Sequence, residues 1–203
     1  MISHKHKCIF IHCQKCGGET VEELLGAYDN MARKLDWLTP EEKHWTYKEC
    51  IDNYGEETWN SYFTFSFVRN PWDRIISWIF YSNRMESDPT GKVLQPHQQH
   101  LPDEYVRIKL KNPKPYWVKN TYTSLLGIKP NKKHKLDFIG KTENMKNDLN
   151  FIRDKLKIQK DIKILNKTKH RKHYTEYYDD NTMRLIGELF KDDIEYFGYK
   201  FGE

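Results

Sequence analysis

Lys15 stands at the head of a Gly-Gly turn in the run Cys8-Ile9-Phe10-Ile11-His12-Cys13-Gln14-Lys15-Cys16-Gly17-Gly18-Glu19-Thr20-Val21. A lysine so placed can neutralise an oxygen that gains charge as a group is transferred. Glycines let the backbone adopt positive φ and bring successive N–H groups close to a ligand, and the helix start behind them carries partial positive charge. A loop of this kind attracts a phosphate-like anion. The apolar run before it, and the acidic residues with apolar spacing at Val21, Leu24 and Leu25 after it, predict strand, tight loop and helix, the helix running to about Lys34. Gly-Gly between strand and helix also occurs as a plain turn. The stretch does not follow the nucleoside-triphosphate pattern, because its lysine precedes the glycines.

A second turn of the same build lies in Tyr62-Phe63-Thr64-Phe65-Ser66-Phe67-Val68-Arg69-Asn70-Pro71-Trp72-Asp73-Arg74-Ile75-Ile76-Ser77-Trp78. Aromatic and β-branched residues to Val68 predict a buried strand, and Pro71 suits the first turn of a helix capped by Asn70. Arg69 leaves the strand end, and Ser77 comes two helical turns later, so both can reach one anion near the carboxyl edge of a sheet. An Arg69–Asp73 ion pair with Ser77 on the helix surface is the plainer alternative. His44 follows a helix-start signal at Thr39-Pro40-Glu41-Glu42 and has no metal partner nearby in sequence. Taken alone it is an ordinary histidine.

Taken together these motifs resemble the carbohydrate sulfotransferases of sulfotransferase family 2. The lysine-first loop is similar to that family's Lys-Thr-Gly-Gly-Thr loop for a 5′-phosphosulfate, and Phe-Val-Arg-Asn-Pro-Trp-Asp-Arg with its following serine looks like the 3′-phosphate motif. Leu136-Asp137-Phe138-Ile139-Gly140-Lys141-Thr142-Glu143-Asn144 resembles a third segment, with Lys141 where arginine is usual. His44 and Thr46 stand where the family carries its His-x-Thr. The resemblance implies an α/β, P-loop-like three-layer fold with a central, mostly parallel sheet flanked by helices. It implies the sulfuryl donor 3′-phosphoadenosine 5′-phosphosulfate (PAPS), with PAP as product, and a small-molecule or glycan acceptor. The roles it implies are His44 as general base and Lys15 at the bridging oxygen. Lys15, Cys16, Gly17, Gly18, Glu19 and Thr20 would line the 5′ site, with Arg69 and Ser77 at the 3′-phosphate. The basic tract Asn166 to Tyr174 would add Lys169 and Arg171 there. No metal is required, because cationic side chains and backbone dipoles supply the positive charge.

Two residues depart from the family loop. Glu19 puts a carboxylate at the start of a helix that should receive phosphate, and Cys16 replaces a hydroxyl donor. His12 occupies a strand position where the family often has a histidine, and a buried structural role is expected for it. His97, His100, Tyr116, Trp117 and Tyr122, in the proline-interrupted region about 84–135, are candidate acceptor contacts. Short helices are expected there at Asp103–Leu110 and Trp117–Leu126.

The remaining features bound the reading. A chain of 203 residues with 37% hydrophobic and 14% aromatic content suits one domain, residues 1–203, with a sizeable core. The net charge of +5 comes from scattered lysines, which favours anionic small molecules or glycans over nucleic acid. Cys8, Cys13, Cys16 and Cys50 lack zinc spacing and read as reduced thiols. No apolar run spans a membrane and no signal peptide is evident, so a cytoplasmic protein without membrane partners is expected. A phosphotransferase and a nucleotide- or glycan-binding protein without turnover remain open as alternatives. Magnesium dependence would mark the first, and nucleotide binding without reaction the second.

Overall fold

The computed structural model describes residues 1–26, 42–86, 101–128, 135–165 and 171–203. They fall into two compact units, Met1–Arg69 with Tyr122–Leu165, and Asn70–Thr121 with Asn166–Glu203. Four strands, β1 (Ile2–Ser3), β2 (Cys8–Ile11), β3 (Phe63–Val68) and β4 (Phe138–Lys141), make one sheet in that order. Helices up to the second motif are α1 (Gly18–Leu24), α2 (Tyr47–Tyr54), α3 (Glu56–Ser61) and α4 (Pro71–Glu86). Then come α5 (Asp103–Lys111), α6 (Pro115–Lys119), α7 (Tyr122–Leu126), α8 (Met145–Lys155), α9 (Asp180–Leu189) and α10 (Lys191–Phe197).

The first unit holds the sheet. β1 runs antiparallel to β2, while β2, β3 and β4 are mutually parallel, with Ile11 opposite Ser66 and Val68 opposite Lys141. Strands buried on both faces must read as near-continuous apolar runs, and Cys8–Ile11 and Phe65–Val68 do. Phe10, Phe65 and Phe67 are among the largest fully buried side chains, each contributing about 1.5–3 kcal/mol by leaving water. Helix α8 packs on β4, with the Phe151 ring 4.7 Å from that of Phe138, and buries Leu149 and Ile152. The two-residue β1 carries no periodicity that a sequence pattern could register. Helix α1 closes at Leu24, earlier than expected, where Gly26 takes a φ of 87°. The remainder of the expected helix, and the Thr39-Pro40-Glu41 signal, lie outside the described residues.

The second unit is helical. Trp72, Ile75, Ile76 and Ile79, spaced three and four apart along α4, meet Val106 and Leu110 of α5 and Ile186 of α9 in one core. Asn70 starts α4 as expected, its Oδ1 accepting the Trp72 N–H at 3.2 Å. Phe201 of the tail packs edge-on to Trp72, Tyr174 and Tyr178, so the chain's end serves packing. Where one helix was expected over Trp117–Leu126 there are two short ones, because Asn120 leaves the helical region at φ −87°, ψ 55°. Among the described residues no helix is long and apolar enough to cross a membrane.

Candidate active site

Parallel strands end on a common edge, so β2, β3 and β4 release the chain there at His12, Arg69 and Thr142. The loop after β2 closes through the Cys16 N–H donating to the Cys13 carbonyl at 3.3 Å. Lys15 (φ 65°) and Gly17 (φ 77°) both take the left-handed conformation. For a lysine this costs about 1–3 kcal/mol and persists only when the surroundings hold it. Arg69 supplies part of that hold: its Nη1 donates to the Lys15 carbonyl at 3.3 Å. The second motif thus braces the first. Gly17 is favoured by its φ of 77°, and a Cβ there would also meet the Cε of Met145, the flexible end of a side chain at the start of α8, at 2.2 Å.

Arg69 is itself pinned by one side chain. The Tyr122 hydroxyl accepts the Arg69 N–H at 2.9 Å and donates to the Arg69 carbonyl at 2.8 Å, with the Cys16 Sγ 3.3 Å away. Tyr122→Phe removes both of these hydrogen bonds, each worth about 0.5–1.5 kcal/mol net. A fall in unfolding free energy of about 1–3 kcal/mol is therefore expected from urea denaturation. A loss below about 0.5 kcal/mol would contradict this bracing role.

A histidine cluster lies beside the loop. Gly18 and Glu22 sit one helical turn apart on one face of α1, and the His12 ring packs across that face. A Cβ on Gly18 would lie 1.9 Å from His12 Nε2, so only glycine lets the ring settle there. Nδ1 of His12 comes within 3.1 Å of Glu22 Oε1, at ion-pair distance though off hydrogen-bond alignment. Glu22, 3% exposed, is gripped by Lys43 Nζ at 3.0 Å from Oε1 and 3.1 Å from Oε2. The neighbour of Lys43 on the single 3₁₀ turn Glu42–His44 is His44, whose ring centroid lies 4.7 Å from that of His12.

Electrostatics separate the two imidazoles. Burial pushes His12 down to about 4, so it is neutral at ordinary pH. Burial works to raise Glu22, but the contacts with His12 and Lys43 win and bring it down to about 2. His44 is lowered as well, chiefly by burial, with its bond to the His12 backbone opposing. That bond, Nδ1 to the His12 carbonyl at 3.3 Å, fixes the tautomer. A carbonyl can only accept, so Nδ1 carries the proton and Nε2 is the basic nitrogen. His44 is half-buried while His12 is 6% exposed, which leaves His44 the better placed to meet a substrate.

The other expected residues divide. Thr20 is buried, its hydroxyl oxygen accepting the Leu165 N–H at 3.0 Å. Glu19 is exposed in the first turn of α1, where a carboxylate favours the helix dipole. Thr46 caps α2 in a reciprocal capping box with Glu49. In the second unit, Ser77 is half-buried on α4, and Arg171 pairs with Asp73. Lys169, His97 and His100 lie outside the described residues. Trp117 and Tyr122, expected as acceptor contacts, are core residues at 1% and 0% exposure; Tyr116, at 46%, is open to solvent. Glu22, Lys43 and Tyr122 were not expected at the site in these roles. A sequence signal existed for Glu22 alone, in its one-turn spacing from Gly18 behind a strand-end histidine. All four cysteines are free and buried. Among the described residues no group of His, Cys, Asp and Glu is arranged to hold a metal ion.

These features define a mixed α/β protein whose parallel strand ends carry a lysine-first glycine turn and an arginine, with a tautomer-fixed histidine on a 3₁₀ turn beside them. The family model described as Sulfotransferase family matches residues 1–200, and the chain belongs to that family, sulfotransferase family 2. No curated protein and no solved structure matches it.

Proposed function

We propose that the chain moves a sulfuryl group from PAPS to an acceptor hydroxyl, on a carbohydrate, with His44 as general base. The observation that carries this reading is the approach of His44 Nδ1 to the His12 carbonyl at 3.3 Å, which leaves Nε2 to take a proton. The donor set fits a nucleotide with two anionic ends. Lys15 and Arg69 bring positive charge to neighbouring strand ends, and the loop between β2 and α1 has the left-handed turns that point N–H groups at an anion.

When bound, PAPS supplies a sulfuryl group on a phosphate leaving group. His44 Nε2 accepts the hydroxyl proton as the acceptor oxygen bonds to sulfur, help typically worth about 10²- to 10⁴-fold. Lys15 meets the charge that gathers on the bridging oxygen as the S–O bond breaks. Gly17, Gly18 and Thr20 hold the 5′-phosphate; Thr20 spends its oxygen on Leu165 and keeps its hydroxyl proton to donate. Arg69 takes the 3′-phosphate. Free, buried thiols suit a reducing compartment, and the proposed setting is the cytoplasm.

Calorimetric titration with PAP, with AMP as control, tests the donor assignment. PAP should bind about 10- to 100-fold tighter than AMP, the worth of a charge-assisted contact to the 3′-phosphate, and Arg69→Ala should erase the difference. Equal affinity for the two nucleotides in the native chain would overturn the donor assignment.

A further inference from the structure

A buried carboxylate on α1 is a poor device for stability alone, because desolvation offsets most of the attraction to its partner and an apolar side chain packs as well. Glu22 is nonetheless 3% exposed and holds Lys43 through both oxygens, while its Oε1 also meets His12. The contacts form a closed circuit. Glu22 grips Lys43, Lys43 adjoins His44 on the single 3₁₀ turn, His44 bonds the His12 carbonyl, and the His12 ring returns to Glu22. No residue of the circuit is held by sequence-local contacts alone.

We propose that Glu22 is the positioning residue for the base: by clamping Lys43 and abutting His12 it holds the turn that carries His44 against the end of β2. The proposal rests on the reading of His44 as base. It has an electrostatic corollary. Among the described residues, the charged and titratable groups that act on His44 are Glu22 from α1, Lys43 from its own turn, His12 just after β2 and the chain's N-terminal ammonium. Glu22 stabilises the imidazolium and Lys43 opposes it. Removing one partner therefore leaves the other's field unbalanced, and the two removals act in opposite directions. A merely structural clamp would loosen His44 identically from either side.

The test follows the His44 ring resonance by NMR across pH in the full chain, for the native protein, Glu22→Gln, Lys43→Met and the double variant. Glu22→Gln should lower the proton affinity of His44 by about threefold or more, Lys43→Met should raise it comparably, and the double variant should return near the native midpoint. In Glu22→Gln, kcat should fall while the affinity for PAP holds, and the acid limb of the pH–rate profile should move with the NMR midpoint. Midpoints unmoved in folded single variants would overturn the clamp, whatever His44 does in the reaction. If the midpoints move as expected but His44→Ala keeps its turnover, the base assignment fails instead and the positioning role falls with it.

Discussion

His44→Ala is expected to lower kcat by about 10²- to 10⁴-fold, the typical worth of a positioned general base. Affinity for PAP should stay within about twofold, because the base contributes to the transition state rather than to donor binding. His44 is half-buried, so the shorter side chain gives up the bond to the His12 carbonyl and the ring contact with His12 rather than fully buried packing. The pH dependence follows from the sign of the shift. As the proposed base His44 must be neutral to accept a proton, so turnover is expected to be lost as pH falls through its pKa, which burial places below the ordinary 6.5. The native enzyme should therefore hold full activity through neutrality and lose it only on the acid side, while His44→Ala lacks that limb. Steady-state rates across pH, beside calorimetry with PAP, decide the matter. Near-normal turnover in His44→Ala, together with its abolition in a folded His12→Ala, would transfer the role to His12.

The parts of this site that were legible in sequence are those whose chemistry is local. Lys15 with its glycines, and Arg69 between an aromatic run and Pro71, each announce a strand, a turn and a helix within a few residues. The parts that were not legible depend on pairings across the chain. The Arg69 guanidinium reaches the Lys15 carbonyl, and the Lys43 ammonium reaches Glu22 across 21 positions. No periodicity encodes such contacts. Aromatic residues misled for the same reason: Trp117 and Tyr122 carry polar atoms that suit a binding pocket, yet Trp117 stacks on Trp78 at 6.2 Å and Tyr122 spends its hydroxyl on the Arg69 backbone. Thr46 shows one residue with two readings. The family pattern pairs it with His44, and its box with Glu49 makes it the cap that starts α2. The capping spacing Thr-x-x-Glu stood in the sequence throughout.

Gly18→Ala should be costly for a single added methyl. Backbone strain is not the reason, for Gly18 is not among the residues with positive φ. The obstacle is the His12 ring, three of whose atoms would lie 1.9, 2.2 and 2.3 Å from the new Cβ. That ring has nowhere easy to go: Phe10 stacks on it at 5.6 Å, His44 stands 4.7 Å away and Glu22 meets its Nδ1. Overpacking a closed site typically costs about 1–3 kcal/mol, or about 2–4 °C of Tm per kcal/mol in a chain of this size. Displacing His12 also disturbs the carbonyl that fixes the His44 tautomer, so kcat should fall along with stability. His12→Ala removes the obstacle at the expense of a cavity. In that background Gly18→Ala should cost little, so that the two changes couple by about 1–3 kcal/mol. Urea denaturation of the four proteins measures that coupling. Additive losses, to within about 0.5 kcal/mol, would mean that the ring can step aside. The glycine would then answer to the loop's backbone rather than to the His12 ring.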